Sequence, residues 1–159
     1  MAIMTGLSGN EMFCLHLKGF APGELVIGNS VYSMGFVGSV GAGLKTMMGG
    51  EIEQVTKIIH EGRQSALSRM VKEAEHHGGI GITGVSSELI WQAGNVEFLS
   101  IGSCIHHEGN KSEKLAFSTS ADGQELYCQL DCGFMPIKFV FGNVAYSIGI
   151  GGGIVGGLR

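Results

Sequence analysis

The chain has 159 residues, of which 44% are hydrophobic and 15% charged, and these proportions exclude an intrinsically disordered protein. Its formal net charge is −4 and no cluster of lysine and arginine occurs, so we do not expect it to bind nucleic acid. The 28 glycines follow no Gly-X-Y period, which excludes collagen. The length suits one domain plus an appendage.

The N-terminus carries no basic leader followed by a long apolar run, so we do not expect a secretory signal. The four cysteines of a leaderless chain of this size are expected to be reduced thiols. Disulfide pairing is the alternative in an oxidising compartment. Together these observations favour a cytoplasmic protein.

The opening of the chain predicts a leader and two short strands. Residues 1–10 are small and mixed in polarity, and we expect them to be loosely ordered. Residues 11–18 alternate between apolar and polar side chains, which is the period of a β-strand. One face would carry Phe13, Leu15 and Leu17, and the other Cys14, His16 and Lys18. A turn at residues 19–23 then leads to a strand at 24–27.

Glycine recurs at every third position from Gly35 to Gly41, inside the apolar stretch 31–48. Each glycine costs an isolated helix about 1 kcal/mol relative to alanine. Such a segment needs packing against other backbone to hold a shape, and glycine permits that close approach. The pattern therefore indicates a packing surface.

The strongest helical pattern runs from Glu51 to His77. Apolar residues recur along it at steps of three and four, which indicates one buried face. Acidic residues lie in the first turn and basic residues near the end, as the helix dipole favours, and the glycine pair 78–79 marks the stop. We interpret His76 and His77 as capping residues rather than metal ligands.

Two strands are predicted at residues 80–91 and 96–105, joined by a four-residue turn. In the second strand one face would carry Leu99, Ile101 and Ile105, and the other Val96, Phe98 and Cys104. The polar stretch 108–122 is a predicted linker that contains a short strand at 115–117.

The opening of the chain is repeated near its end. An ungapped offset of 114 positions pairs Gly28 with Gly142 and extends over residues 9–45, the first copy, and residues 123–159, the second copy. The second copy stops before any second long helix, so it amounts to half a domain. Half a domain cannot bury its own core, and we expect it to dock on the first domain or on a neighbouring chain.

Both copies contain an apolar, glycine-rich run, and we predict that these runs pack chains together. The predicted interface residues are Tyr32, Gly35, Gly38 and Gly41 in the first copy, and Tyr146, Gly149, Gly152 and Gly153 in the second. The expected partner is therefore the chain itself. The second copy would join rings or cover a strand edge that otherwise attracts stray strands.

The motifs of the first domain follow a distinctive order. They are Gly-Glu at 23–24, Gly-Asn-Ser-Val-Tyr at 28–32, Gly-Gly at 49–50, the long helix, Gly-Gly at 78–79 and a hairpin that ends with Gly-Ser-Cys-Ile at 102–105. This order resembles the YbjQ family, whose members are labelled heavy-metal-binding proteins. The resemblance covers residues 11–107, the predicted domain, whereas residues 123–159 match only the family's opening part.

The resemblance implies an α+β subunit of β-α-β-β type, with one long helix on a small antiparallel sheet. It also implies a ring-forming oligomer, typically a pentamer, and it carries over no catalytic residues. The chain departs from the family at three points. Ser-Met at 33–34 replaces Arg-Asp, Gly-Gly-Ile-Gly at 78–81 replaces Gly-Ala-Asp-Ala, and Gly-Ser-Cys-Ile at 102–105 replaces Gly-Thr-Ala-Val. It therefore resembles a divergent member.

The sharpest metal candidate is the pair Cys104 and His106. Both would lie on one strand face, and thiolate and imidazole ligands suit zinc or copper. Cys14 and His16 have the same spacing on the first predicted strand, so neighbouring strands would bring four ligands together. The alternative is that the cysteines are buried packing residues and that His106 opens a solvated linker.

Cys128 and Cys132 are a weaker metal candidate. Four residues of extended strand would separate them by roughly 13 Å, which is too far for one ion unless the chain bends at Cys132. We interpret both as structural.

The charge-free run at residues 25–44 is about long enough to cross a bilayer as a helix, although its serines and glycines argue against that. Three hypotheses therefore stand. They are a non-enzymatic ring-forming assembly module, a protein that binds or senses zinc or copper, and a membrane-associated oligomer.

Overall fold

The computed structural model describes residues 4–33, 50–92, 94–107 and 114–147. Within them, the elements in chain order are α1 (Gly9–His16), β1 (Phe20–Ser33), β2 (Gly50–Glu51), α2 (Glu53–His76), β3 (Gly81–Gln92), β4 (Asn95–His107), β5 (Phe117–Ser118), α3 (Gly123–Asp131) and β6 (Tyr146–Ser147).

The main sheet has the strand order β1-β4-β3-β5. β4 pairs antiparallel with both β1 and β3, whereas β5 pairs parallel with β3. The predicted α+β class is confirmed, but the sheet is mixed rather than antiparallel because β5 joins its edge in the parallel direction. β2 and β6 form a separate antiparallel pair.

The long helix α2 covers one face of the sheet and confirms the predicted helix at 51–77. It presents small and apolar residues to the strands, namely Gly62, Ala66, Leu67, Met70 and Ala74. The approach is close, since a Cβ atom at Gly28 of β1 would collide with the backbone of Ala66 and Met70. Glycine at this position therefore sets the distance between helix and sheet.

A second core lies on the opposite face of the sheet, beneath α1 and α3. Leu15 of α1, Leu126 of α3 and Ile105 of β4 are fully buried in it. The adjacent Cys104 belongs to the core under α2, so the predicted separation of these two β4 side chains onto opposite faces is confirmed.

The predicted strand at 11–18 is wrong, because these residues belong to α1. Ser8 accepts a hydrogen bond from the backbone N–H of Glu11, and the Glu11 carboxylate accepts one from the backbone N–H of Ser8. This capping box starts a helix, even though apolar and polar side chains alternate in the residues that follow. Phe13 and Leu17, which suggested a buried strand face, are 63% and 54% exposed.

Other predicted boundaries shift by a few residues. β1 has 14 residues, so the predicted strand at 24–27 is only its middle part. The hairpin turn is shorter than predicted, since β3 ends at Gln92 and β4 begins at Asn95. Gly94 has a φ of 81°, which a tight hairpin turn requires. The short strand predicted at 115–117 is found at Phe117–Ser118.

The second copy contacts the first domain of the same chain. α3 packs beside α1, where the Glu11 carboxylate accepts a hydrogen bond from Gly123 N–H at 3.2 Å and Lys18 forms an ion pair with Asp131 at 2.8 Å. Residues 134–145, beyond α3, belong to no helix or strand. Ile137 and Phe139 form hydrogen bonds with Ser118 of β5, and Asn143 and Ala145 form hydrogen bonds with Thr56 of α2.

Two of the predicted interface residues are described. The Tyr32 ring lies edge-on to Phe98, with 5.8 Å between centroids, while Tyr146 is 70% exposed. The predicted interface glycines at 35, 38, 41, 149, 152 and 153 lie outside the described residues. In the run at 25–44, residues 25–33 belong to strand β1, and no helix in the described parts of the chain is long and apolar enough to cross a membrane.

Candidate functional site

A cluster of possible metal ligands forms where β1, β4 and the end of α2 meet. Glu24, Cys104 and His106 each offer one ligand atom there, and these atoms lie within 4.8 Å of one another. The predicted convergence of Cys104 and His106 on one strand face is therefore observed. Whether they bind a metal stays a prediction.

A β-bulge brings Glu24 to this cluster. Pro22 pairs with Ile105 and Leu25 pairs with Ser103, so Gly23 and Glu24 together lie opposite Cys104. A bulge changes the face to which later side chains point, and it re-aims the bulged residues themselves. The sequence motifs did not identify Glu24 as a candidate ligand, although an acidic residue inside an apolar strand is a signal for such a site.

His106 is held through both ring nitrogens. Its Nδ1 lies 3.3 Å from the carbonyl oxygen of Gly78, and its Nε2 lies 3.4 Å from a carboxylate oxygen of Glu24. A carbonyl oxygen only accepts hydrogen bonds, so Nδ1 donates to Gly78. Nε2 therefore points into the cluster.

Two glycines, Gly23 and Gly79, make room for the side chains of His106 and Cys104. A Cβ atom at Gly23 would lie 2.6 Å from His106 Nε2. A Cβ atom at Gly79 would collide with Cys104 Sγ. Real Cβ atoms do not approach other atoms this closely, so these positions tolerate only glycine while His106 and Cys104 keep their places. The Gly-Glu and Gly-Gly motifs of the sequence thus meet in space.

The surroundings of the cluster shift the pKa values of Glu24 and Cys104 in opposite directions. Partial burial alone would raise the pKa of Glu24, but hydrogen bonds from its own backbone and from His106, together with the charges of His77 and His106, lower it overall. Burial, and secondly the negative charge of Glu24, raise the pKa of Cys104 to about 12. Cys104 is therefore a protonated thiol at neutral pH unless a cation binds and displaces its proton.

Cys14 and His16 do not join this cluster. They lie on α1, in which residues two positions apart point to different sides, so they do not share a face. α1 also packs on the sheet face that carries Ile105, opposite the face that carries Cys104. The four-ligand site predicted from two neighbouring strands fails for both reasons.

Cys128 and Cys132 are closer together than predicted. They lie at the end of α3, where the backbone N–H of Cys132 donates to the carbonyl of Cys128 at 3.1 Å. One helical turn, about 5–6 Å between Cβ atoms, separates them instead of four strand residues. Both are exposed and neither forms a disulfide.

A second candidate site is an outer face that occurs once in each of the two copies. The outer face of the first copy consists of Ile27, Asn29 and Val31, which point away from α2, and the equivalent outer face of the second copy consists of Phe141, Asn143 and Ala145. In the first copy, Ile27 and Val31 are 46% and 59% exposed. Ile90 of β3 extends this apolar surface and is 40% exposed.

In the second copy the outer face is covered by α2. The side-chain amide of Asn143 donates to the carbonyl of Thr56 at 3.2 Å, and the backbone N–H of Ala145 donates to the Thr56 hydroxyl at 3.0 Å. The Phe141 ring contacts His60 and Arg63, whose guanidinium carbon lies 5.8 Å from the ring centre.

Comparison with known proteins adds a family and several relatives. The family model YbjQ_1, described as "Putative heavy-metal-binding", matches residues 21–102. The encapsulin nanocompartment protein Rv1762c of Mycobacterium tuberculosis is 33% identical over 158 residues, which cover 93% of this chain and 58% of the relative. This chain thus spans little more than half of that protein's length.

Other relatives match about half of this chain. A UPF0145 protein of Methanococcus maripaludis is 35% identical over 89 residues, covering 54% of this chain and 78% of the relative. One of Thermotoga petrophila is 38% identical over 86 residues, covering 53% of this chain and 80% of the relative.

Proposed function

Because the chain belongs to the YbjQ family, also named UPF0145, we propose that it is a non-enzymatic assembly module whose domains associate head to tail. The observation that supports this proposal is the unequal burial of one repeated surface. The outer face of the second copy packs on α2, whereas the equivalent outer face of the first copy is exposed.

The proposed contact between chains is based on the contact that the second copy makes with α2 inside one chain. Phe141, Asn143 and Ala145 show that the outer face of a copy fits the outer surface of a helix of the α2 type. Ile27, Asn29 and Val31 occupy the equivalent positions in the first copy. We infer that they receive the α2 helix of another chain at a part of its surface other than Thr56, His60 and Arg63, which the second copy already covers within each chain.

Such an interface is heterologous, because a strand face of one domain meets a helix surface of the next. Heterologous contacts generate a closed ring if the rotation closes and a filament if it does not. The pentameric ring expected from the family resemblance is the closed form. The name of the mycobacterial relative, a nanocompartment protein, also fits an assembly role.

The test is the size of the purified chain at micromolar concentration, measured by light scattering and native mass spectrometry. We expect a species larger than a monomer, which the double substitution I27K/V31K dissociates by placing charges in the interface. F13K is the matched control, since Phe13 is equally exposed but lies on α1. A monomeric wild-type chain, or dissociation by F13K alone, would contradict the proposal.

A second candidate function is the binding of a heavy-metal ion. The specific observation in its favour is the convergence of Glu24, Cys104 and His106, and the family description points the same way. Elemental analysis of chain purified without a histidine tag tests it. We expect bound zinc or copper, or a rise in melting temperature on adding either ion. If no zinc or copper is bound and neither ion raises the melting temperature, heavy-metal binding is excluded.

A further inference from the structure

Of the two copies, only the first contributes a residue, Glu24, to the metal-ligand cluster. The offset that aligns the copies pairs Gly23 with Ile137 and Glu24 with Lys138. Lys138 is an exposed cation, and Ile137 has a side chain where Gly23 has none. The second copy therefore repeats the apolar pattern of β1, but it lacks the glycine and the glutamate on which the cluster depends.

We propose that the cluster is a site for a single zinc ion, held by the Cys104 thiolate, His106 Nε2 and the Glu24 carboxylate, with His77 as the fourth ligand. This inference rests on the heavy-metal binding proposed as the second candidate function, and it names the ion and its ligands. It replaces the predicted pair Cys14 and His16 with Glu24 and His77.

The donor set selects the ion. Zinc accepts thiolate, imidazole and carboxylate ligands together, and four protein ligands complete a tetrahedral structural site. Copper(I) prefers purely soft sulfur ligands, and magnesium and calcium prefer oxygen alone. One sulfur, two nitrogens and one oxygen therefore fit zinc better than these alternatives.

The orientation of His106 is that of a metal ligand. Ligating histidines usually donate their second ring N–H to a carboxylate or a backbone carbonyl, which fixes the tautomer. The contact from His106 Nδ1 to the Gly78 carbonyl supplies this support, and Nε2 is left facing Glu24. A proton on Nε2 lets this nitrogen donate to the Glu24 carboxylate, and a metal ion bound between the two groups would take the place of that proton.

His77, which follows α2, lies beside this set rather than within it, because only Glu24, Cys104 and His106 have ligand atoms within 4.8 Å of one another, and it would have to approach the ion on binding. Its Nδ1 lies 3.9 Å from Oε1 of Glu24, while His106 Nε2 approaches the other carboxylate oxygen. His77 is half-buried, whereas its neighbour His76 is exposed. The two histidines of the helix end thus have different surroundings, and only His77 faces the carboxylate of the cluster.

A zinc ion in this position would connect three separate elements. Glu24 belongs to the edge strand β1, Cys104 and His106 belong to β4, and His77 follows α2. Binding to the folded chain alone stabilises the fold in proportion to the logarithm of ligand concentration over Kd. The expected role is therefore structural: the ion holds the edge strand against the end of α2.

The experiment uses the full chain without a histidine tag and titrates it with Co²⁺ and then Zn²⁺. Tetrahedral cobalt with a thiolate ligand gives strong visible bands and a sulfur-to-cobalt charge-transfer band, which Zn²⁺ should displace. We expect C104S to abolish the charge-transfer band, and H106Q and H77Q to weaken binding at least about tenfold, on the scale that even supporting residues of metal sites show.

Three matched controls separate the site from general effects. C128S removes an exposed thiol, H107Q changes the next residue of β4, and H76Q changes the neighbouring residue of the helix end. None should alter the cobalt spectrum or the affinity. Circular dichroism of every variant establishes that its fold is intact, and H106Q and H77Q keep the test decisive if C104S unfolds.

The outcomes distinguish the inference from the function on which it rests. If neither Co²⁺ nor Zn²⁺ binds, heavy-metal binding and this site fail together. If metal binds but C104S and H106Q leave the spectrum and affinity unchanged, the function stands and this site is wrong. If H77Q behaves like H76Q while C104S and H106Q lose binding, His77 is not a ligand and the four-ligand assignment is overturned.

Discussion

The first and second copies of the repeated stretch begin alike and then diverge. Each opens with a short helix that has a capping box, formed by Ser8 and Glu11 at the start of α1 and by Asp122 and Glu125 at the start of α3. Each helix is followed by a glycine in the left-handed region, Gly19 and Gly133, with φ of 76° and 83°. Up to this point the two copies share one local structure.

After that glycine the copies differ in what surrounds them. Residues 20–33 form β1, whose backbone pairs with β4 and whose inner face is buried under α2. Residues 134–145 form no strand of the main sheet, and Val140 and Val144, the counterparts of buried residues of β1, are 78% and 62% exposed. Helices that begin with a capping box are specified locally, whereas a strand requires a neighbouring strand.

The largest expected effect comes from the paired glycines Gly28 and Gly142. G28V should destabilise the fold by about 3 kcal/mol or more, because its side chain would collide with the backbone of α2. G142V should change stability by less than about 0.5 kcal/mol, since nothing lies within 4 Å of a Cβ atom there. Urea unfolding measures both. Equal effects would show that the two copies have the same surroundings.

Leu126 and Met12 are the next matched pair, at equivalent positions in α3 and α1. L126A should cost about 2–5 kcal/mol, because Leu126 is fully buried in the core between the two helices. M12A should cost less, since Met12 is only partly buried. Calorimetry of both variants checks the order. A negligible effect of L126A would mean that α3 does not dock on the first domain in solution.

The helix caps should contribute less. Asp122 accepts hydrogen bonds from the backbone N–H groups of Gln124 and Glu125 at 2.8 Å each, whereas Ser8 accepts one from Glu11 at 3.4 Å. We expect D122A to cost about 1–2 kcal/mol and S8A about 0.5–1 kcal/mol. Hydrogen exchange in the first turn of each helix resolves the difference, and the reverse order would contradict these geometries.

The smallest effect concerns Glu24 and its counterpart Lys138. The pKa of Glu24 is lowered in the folded chain, so its stabilisation is complete above the ordinary carboxyl pKa of about 4.3 and is lost as the pH falls through the lowered value. E24Q should therefore flatten the acid side of the stability curve, and K138Q should not. Urea midpoints between about pH 3 and pH 7 test this, and an unchanged curve for E24Q would refute it.

The sequence predicted two of the three residues in the cluster of possible metal ligands. Cys104 and His106 are two positions apart on one strand, so strand alternation alone places them together. Glu24 comes from 80 positions upstream and reaches them through a bulge in β1, which no local pattern reveals. Cys14 and His16 were assigned wrongly because a capping box outweighs eight residues of alternation.

Sequence alone determined the long helix, the hairpin, the faces of β4 and the internal repeat, because each depends on residues within a few positions or on direct self-similarity. The tertiary structure alone decided that one copy of the repeat enters the sheet and the other lies outside α2. Backbone pairing and burial depend on which partner is nearby, and the pattern that the two stretches share does not encode that difference. The same reason hid Glu24 and the exposed outer face of β1 from the sequence.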